Sequence, residues 1–423
     1  MIDYLLGKAP LGEGQGGAVG NKPRHIGPPY YLVNDTFTTD RAAGAVNGTR
    51  AEPGPGVRDV NDTGGKLSLS SGNIVIASAA PGTGNPRLLY ATQGRRAGLL
   101  AVGALTTPAS GTAGPARIGW TYTPTGIYGT ESVAFGNSNS LEVRVNLTNV
   151  TVGASALGTA YAVAVALRAS GAFYFIKGGA FTNWTLLWIS TGVVDTPMAP
   201  VIAAINNGAG CSSAYLRVPA TLWLPTPLAS DGFSAWGTTD GLGHAEGVAG
   251  GLGAGGSGLA WINQIGTFGA TGGAAQASAL SGGIAAATAD TGKTDAITTA
   301  KVTRSGGVAG ALVAYVDADN HIRAVHNGTN AQLIKRVSGS DTNVISAAAT
   351  YSAGAEIRVI REGTAYRLYY NNVQIGTQGT ISDAAFTGIT KQGIYTTDTA
   401  NAVDDFTVYA RGSGGEHSAL DAF

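Results

Sequence analysis

Apolar and polar residues alternate along several short segments in the first half of the chain. Residues 66–70 (KLSLS) and 141–147 (LEVRVNL) place an apolar side chain at every second position, which is the period of a strand with one buried face. Residues 161–167 (YAVAVAL) are apolar throughout, which suits a strand buried on both faces. No extended window carries a helical stripe. The pattern therefore predicts β-strands joined by turns.

The same rhythm continues through the second half. Residues 310–316 (GALVAYV), 356–361 (EIRVIR) and 365–370 (AYRLYY) read as strands, and Asn371-Asn372 predicts a tight hairpin turn because Asn tolerates positive φ. Gly, Pro, Asn and Asp punctuate the chain roughly every eight to twelve residues, which is typical of β-sandwiches. We predict an all-β fold of antiparallel, jelly-roll sandwiches.

Changes in composition divide the chain into four parts. Residues 1–29 form an N-terminal arm, 30–225 a first sandwich, 226–411 a second sandwich, and 412–423 a loose C-terminal tail. The segment 222–228 (LWLPTPL) joins the two sandwiches, and its two prolines favour an extended linker.

The arm is rich in glycine and lacks a sustained period, so it cannot bury much surface by itself. One interpretation is a flexible tail. The other is an extended arm that lies on a neighbouring subunit, with Tyr4, Leu5 and Leu6 as its apolar anchor.

Composition and charge exclude several classes of protein. Charged residues make up 12% of the chain, about half the usual ~25%, and the formal net charge is zero. A neutral chain without a Lys/Arg cluster argues against nucleic acid as the main ligand. A low-charge surface of this kind suits a protein that is buried against partners in an assembly.

Targeting signals and cysteine usage suggest where the protein is made. The segment 1–8 (MIDYLLGK) lacks the basic and apolar regions of a signal peptide. The longest apolar stretch, 161–167, is far shorter than the ~20 residues that span a bilayer, so we predict no membrane insertion. Cys211 is the only cysteine, so no internal disulfide can form. We expect synthesis in the cytoplasm of a host cell.

The ends of the second half resemble a known family. This half opens on residues 230–233 (SDGF) and closes on residues 403–409 (VDDFTVY). A D-x-F start and a D-D-F-x-V-Y end resemble the laminin-G/concanavalin-A-like β-sandwiches, in which the first and last strands lie side by side. A second opening, residues 34–37 (NDTF), comes earlier in the chain. The resemblance implies two lectin-like sandwiches in tandem.

Some relatives of that family are glycan hydrolases with an E-x-D-x-x-E strand, whose carboxyl groups act as acid/base and nucleophile. This chain has no such motif, and its glutamates are few and scattered. We therefore predict that the protein is not an enzyme and needs no catalytic cofactor.

Two acids are candidates for a structural Ca²⁺ site. In many lectin-like sandwiches a carboxylate near the closing strand shares one Ca²⁺ with oxygen atoms of the first strand. The resemblance implies that Asp231 and Asp404 would hold this ion if the terminal strands pair. The alternative is that both are ordinary acids at turns and strand ends.

Five aromatic residues are candidates for contact with a glycan or a partner protein, because rings in loops can stack on sugars. The alternative for each is packing in the core. The five are Trp120, Tyr122, Tyr128, Trp236 and Trp261.

Three functions compete. The leading hypothesis is a structural protein of a bacteriophage virion, either a capsid decoration or part of a tail or fibre, with other copies and other virion proteins as partners. The second is a carbohydrate-binding adhesin that uses loop aromatics on surface glycans. The third, a glycoside hydrolase, is disfavoured by the missing acidic motif.

Overall fold

A computed structural model describes residues 30–62, 65–76, 86–108, 116–122, 130–135, 139–146, 148–191, 196–204, 211–233 and 260–423. Within these ranges the chain is built from thirty β-strands and two short 3₁₀ helices, Ala384–Phe386 and Ser418–Ala422. In the part described, no helix has the length and hydropathy to cross a membrane.

The first sandwich contains fifteen strands in two antiparallel sheets. One sheet has the order β13-β12-β11-β6-β15-β4-β3, with β1 beside β15, and the other has the order β10-β9-β8-β7-β14-β5-β2. The strands are β1 Tyr31–Asp35, β2 Asp59–Asn61, β3 Leu67–Ser70, β4 Asn73–Ile76, β5 Arg87–Leu89, β6 Leu100–Thr106, β7 Ala116–Thr121, β8 Glu131–Phe135, β9 Ser140–Val145, β10 Thr148–Ala154, β11 Ala160–Leu167, β12 Ala172–Gly178, β13 Phe181–Ile189, β14 Ala199–Ala204 and β15 Cys211–Pro219.

The second sandwich also contains fifteen strands in two antiparallel sheets. Their orders are β18-β19-β30-β21-β26-β27-β28, with β16 beside β30, and β17-β20-β29-β22-β23-β24-β25. The strands are β16 Ala229–Asp231, β17 Ile262–Ile265, β18 Thr267–Thr271, β19 Ala274–Ala279, β20 Ala285–Asp290, β21 Ala296–Thr303, β22 Ala309–Asp317, β23 Asn320–His326, β24 Asn330–Val337, β25 Ser340–Ala348, β26 Ala355–Glu362, β27 Ala365–Tyr370, β28 Val373–Thr380, β29 Lys391–Thr396 and β30 Ala402–Ala410.

The two sandwiches repeat one topology strand for strand. Adding fifteen to each strand number of the first sandwich reproduces both sheets of the second, including the pairing of first with last strand. In both sandwiches the aspartate that ends the first strand pairs with the last strand, Asp35 opposite Leu216 and Asp231 opposite Phe406. The predicted all-β architecture of two tandem antiparallel sandwiches is confirmed.

Both sandwiches open with the same turn. Asp35 and Asp231 end the first strands, and each accepts a hydrogen bond at Oδ1 from the backbone N–H of the phenylalanine two residues on, at 3.1 and 2.7 Å. Phe37 and Phe233 adopt positive φ, 55° and 51°, and are fully buried. The D-x-F motif is therefore a turn that places one aromatic ring in each core.

The two sandwiches share one apolar core at their junction. The Phe173 ring of β12 lies 5.0 Å from that of Tyr409 in β30, and the Trp188 ring of β13 lies 4.5 Å from that of Tyr369 in β27. Ile297 and Ile360 of the second sandwich belong to the same buried cluster. These contacts join the sheet that contains β1 to the sheet that contains β16, so the pair packs as one body.

The prediction of a loose tail at residues 412–423 is wrong. Leu420 is buried, Asp421 accepts hydrogen bonds from Lys177 at 2.6 Å and from the indole of Trp184 at 2.9 Å, and Arg217 donates to the carbonyl of Phe423 at 2.7 Å. The segment follows the last strand of the second sandwich but packs on the first. Its apolar and polar partners lie far away in sequence, which is why local composition gave no sign of them.

Candidate functional site

A pocket of about 200 Å³ opens at one end of the second sandwich. It lies where three connections meet, those between β20 and β21, β26 and β27, and β28 and β29. The pocket is smaller than the ~300–1,000 Å³ of sites that hold drug-sized ligands, so it suits a ligand of about one ring. Its lining residues are Thr294, Asp295, Arg361, Gly363, Thr364, Tyr366, Ile381, Ser382, Asp383, Phe386, Thr387 and Gly388.

Local backbone chemistry builds the walls of this pocket. Gly363 and Thr364 form the two-residue turn between β26 and β27, where Gly363 adopts a φ of 57° that favours glycine. The N–H of Gly363 donates to Asp295 Oδ1 at 2.8 Å, and the N–H of Ile381 donates to the carbonyl of Thr364 at 2.9 Å. These bonds fix the three connections against one another without the help of a ligand.

Arg361 is the most informative side chain in the pocket. It is only 4% exposed, and its two terminal nitrogens donate to the backbone carbonyls of Phe386 at 2.9 Å and Ile389 at 3.1 Å. Its guanidinium carbon lies 5.7 Å from the ring centre of Tyr366. The third nitrogen, Nε, is buried and has no hydrogen-bond partner in the structure. A buried donor of this kind costs free energy unless a bound molecule satisfies it.

The floor of the pocket is apolar and its rim is polar. Tyr366, Ile381 and Phe386 are buried beneath the opening, and burial raises the pKa of the Tyr366 hydroxyl, so this group stays neutral at ordinary pH. Hydroxyl groups of exposed Thr364, Ser382 and Thr387 surround the opening. An apolar floor under a ring of hydrogen-bonding groups is typical of small-molecule sites.

Two carboxylates balance the charge of the pocket. Asp383 accepts from Lys335 at 2.8 Å, and Asp295 faces the same opening as Arg361. The positive charges of Arg361 and Lys335 are thus balanced by the negative charges of Asp295 and Asp383. The lining contains no histidine, cysteine or glutamate, and each aspartate is engaged by a donor of the protein. This arrangement leaves the pocket close to neutral and is suited to binding a neutral polar molecule.

Arginine side chains bridge the corresponding loops of the first sandwich. Arg95 donates to the carbonyls of Arg168 at 3.3 Å and Gly171 at 2.8 Å, and Arg168 donates to the carbonyl of Ser190 at 2.9 Å. These bonds tie together the loops after β5, β11 and β13. The two sandwiches therefore share a topology, but the corresponding loops at this end of each sandwich have different side chains and different hydrogen bonds.

The structure corrects the predicted positions of two aromatic residues. Trp120 lies in β7, is fully buried and donates from its indole N–H to the carbonyl of Val165 at 3.0 Å. Trp261 is also fully buried, and its ring centre lies 5.2 Å from that of Phe406. Neither ring is in an open loop, because each fills a core between sheets. Tyr122 is half-buried just after β7, and Tyr128 and Trp236 lie outside the described residues, as do Tyr4, Leu5 and Leu6.

Groups of the protein itself engage the carboxylates of Asp231 and Asp404, the two acids predicted to hold calcium. Oδ1 of Asp231 accepts from the backbone of Phe233, and Oδ2 accepts from the indole of Trp261 at 2.8 Å, so protein N–H groups engage both oxygens. Asp404 accepts from the N–H of Asp405, whose own carboxylate pairs with Lys301 at 2.6 Å. Among the described residues there is no group of three His, Cys, Asp or Glu that could hold a metal ion.

Glu131 is a buried carboxyl group inside the first sandwich. It accepts from the hydroxyl of Tyr174, and burial raises its pKa from 4.5 to about 7, against the opposing effects of Tyr174 and Arg95. A raised pKa means that the folded state holds a proton that the unfolded state releases. The resulting stabilisation is complete below pH 4.5 and is lost as the pH rises to about 7, by roughly 3 kcal/mol.

Glu131→Gln is expected to remove this loss, because Gln keeps the acceptor for Tyr174 but cannot ionise. Urea unfolding between pH 4.5 and 8 should show the variant gaining stability relative to wild type as the pH rises. Glu142→Gln in β9 of the same sandwich is the control. Equal pH dependence in Glu131→Gln and wild type would contradict the prediction.

No sequence motif marks the residues that line the pocket. Asp295, Arg361 and Asp383 are far apart in the chain and belong to no motif. The one local hint is the Gly-Thr pair between two alternating strands, which predicts a turn and says nothing of a ligand.

Comparison with known proteins gives likenesses in structure alone. No protein-family model matches the chain, and no curated protein matches it. A carbohydrate-binding module from Bacillus subtilis, CBM66, is 15% identical over 36% of this chain and 95% of its own, with a TM-score of 0.31. The Ca²⁺- and mannose-bound exoplasmic domain of VIP36 is 11% identical over 40% of this chain and 85% of its own, also with a TM-score of 0.31.

A third likeness is to a structure described as an endo-acting O-glycanase of the human gut microbiota that initiates mucin breakdown. It is 10% identical over 45% of this chain and 99% of its own, with a TM-score of 0.33. TM-scores of this size are too low for the three likenesses to support an argument about ligand or activity.

Proposed function

We propose that the protein is a non-catalytic carbohydrate-binding protein and that the end pocket of its second sandwich holds one sugar ring. The observation that carries the proposal is the pocket itself, in which an apolar floor lies beneath a polar rim and buried Arg361 stands at the edge of that floor. A sugar ring offers an apolar face to Tyr366 and Phe386 and a hydroxyl oxygen to Nε. Its other hydroxyls reach the polar rim.

The charge balance of the pocket favours a neutral sugar over an acidic one. Arg361 and Lys335 are matched by Asp295 and Asp383, so the opening presents little net field to a charged ligand. Asp295 can accept hydrogen bonds from sugar hydroxyls with its second oxygen, since Oδ1 is held by Gly363.

Filling the mouth of the pocket tests the proposal. Thr364→Trp, at an exposed rim position, is expected to weaken binding of neutral monosaccharides at least tenfold, because the indole occupies the space of the ring. Titration calorimetry with a panel of neutral and acidic monosaccharides measures the change. Thr377→Trp on exposed β28 is the matched control and should bind like wild type.

Arg361→Lys provides a second test, because lysine keeps the charge but removes Nε. We expect weaker binding with an unchanged preference for neutral sugars. The proposal fails if wild-type protein binds no neutral sugar at millimolar concentration, or if Thr364→Trp binds as wild type does. Thermal unfolding of each variant separates loss of binding from loss of fold.

A second candidate function is that of a structural protein of a bacteriophage virion, as capsid decoration or as part of a tail or fibre. The continuous core between the sandwiches favours it, because a rigid two-domain body suits a spacer in an assembly. The low charge of the chain is in keeping with a surface that is buried by partners. Particle attachment and sugar binding are compatible, since a virion protein can also bind host glycans.

Light scattering on the full chain and on a chain lacking residues 1–29 tests the structural candidate. A defined oligomer that becomes a monomer without the arm would support assembly through the arm. A monomer in both cases would contradict assembly through the arm and would favour sugar binding as the function.

A further inference from the structure

A second cavity, of about 560 Å³, lies beneath the connection between the two sandwiches. We call it the linker groove. Residues 223–228 of the linker form one wall, and the second sandwich and the docked tail form the other with Thr291, Ala410, Glu416, His417 and Ala419. Among the described residues, Glu416 is the one carboxylate of this lining, and it is paired with Lys293 at 2.6 Å. The groove is separate from the sugar pocket, and the proposed carbohydrate binding makes no use of it.

The chemistry of the groove suits apolar side chains. Its linker wall contains two prolines, which have no N–H to donate. Leu224 in the groove and Leu222 beside it are 40% and 46% exposed, which is unusual for leucines that adjoin one cavity. Exposed apolar side chains next to a cavity favour coverage by another apolar segment.

The described part of the chain begins close to the start of the linker. The N–H of Ala220 donates to the carbonyl of Tyr30 at 2.7 Å, and Tyr31 lies opposite Pro219. The twenty-nine residues that precede Tyr30 therefore begin beside the start of the linker. Tyr30 itself is 84% exposed.

The arm carries a segment that matches the groove. Tyr4-Leu5-Leu6 combines an aromatic ring with two aliphatic side chains, and it is separated from Tyr30 by a glycine-rich stretch. A random coil of that length would span about 27 Å on average, from ~5–6 Å times the square root of the residue number. A tether of this reach gives the anchor an effective concentration near the millimolar range at its own groove.

We propose that the linker groove binds Tyr4, Leu5 and Leu6 of the same chain. The arm starts beside the groove, and the cost of closing a loop grows only slowly with its length, so the chain's own anchor meets the groove more often than a neighbour's does. The docked arm covers Leu222 and Leu224. It also shields the connection that sets the angle between the sandwiches.

Site-specific photocrosslinking tests the proposal in the full-length protein. With benzoylphenylalanine in place of Tyr4, we expect crosslinks within one chain to peptides that contain residues 222–228 or 417–419. Leu5→Asp/Leu6→Asp should abolish them, because a carboxylate loses its hydration against the leucine and prolines of the linker wall and is repelled by Glu416. Val19→Asp in the same arm is the matched control and should leave the crosslinks unchanged.

Leu224→Arg tests the groove from the other side. Leu224 is partly exposed, so the variant should fold, yet it should lose the crosslinks as the anchor variant does. Crosslinks between two chains would overturn docking on the same chain and place the arm on a neighbour. Crosslinks to any other surface, or crosslinks that persist in Leu224→Arg, would overturn the proposal that the arm binds in the linker groove.

Discussion

Arg58→Met is expected to lower the free energy of unfolding by about 3–5 kcal/mol. Arg58 donates to both oxygens of Asp35 at 2.6 and 2.7 Å, and both side chains are fully buried. The Tyr90 hydroxyl donates to the same carboxylate at 2.6 Å. Removing the guanidinium leaves the negative charge of Asp35 in the core without its cation. Chemical denaturation at neutral pH measures the loss.

Two further variants show whether burial of the charge is the cause. Arg41→Met removes the partly exposed pair with Glu52 and should cost less than about 1 kcal/mol. Asp35→Asn combined with Arg58→Met removes both charges and should recover part of the lost stability. If Arg58→Met unfolds like Arg41→Met, the buried pair does not have the role we assign to it.

Trp188→Ala is expected to have the second largest effect, about 3–5 kcal/mol, because it opens a cavity at the junction of the sandwiches. The Trp188 ring packs edge-on against Tyr369, and the guanidinium carbon of Arg358 lies 3.9 Å from the ring centre. Arg358 is itself buried, so it loses a cation–π contact when the ring is removed. The two sandwiches should then unfold more independently.

Scanning calorimetry measures this uncoupling as two transitions in Trp188→Ala where wild type shows one. Val373→Ala on exposed β28 is the control and should change the stability by no more than about 0.5 kcal/mol. A single transition close to that of wild type would show that the junction does not couple the sandwiches.

The alternation of apolar and polar residues predicted the strands because side-chain direction alternates within each strand. In β9, Leu141 and Val143 are buried while Glu142 is half-exposed, as the alternation predicts, but the end of the strand departs from it, since Arg144 is buried and Val145 is half-buried. Pairing between the first and last strands of the second half followed from the resemblance of their sequences and is confirmed by the register of Asp231 with Phe406. These features depend on short stretches of sequence.

Local sequence could not show which aromatic and charged residues would be buried. Trp120 and Trp261 lie close to glycine-rich or polar segments, yet both rings are in cores, because burial depends on the opposite sheet. Residues 412–423 have the composition of a tail, yet they dock on a sandwich that ends about two hundred residues earlier in the chain. The sequence also did not predict that the two sandwiches have the same strand order, since only the opening turns of the two halves have similar sequences.

The sequence by itself determined the all-β class, because strand formation depends on period-two patterning within short segments. The two tandem sandwiches followed from changes in composition and from the resemblance of the D-x-F openings and the D-D-F ending to a known family. Only the tertiary structure decided the sugar pocket and the linker groove. Arg361, Asp295 and Asp383 meet because three distant connections converge at one end of a sandwich. The connections converge because strands that are remote in sequence pair with one another. A short segment of sequence does not show which remote strand it will pair with.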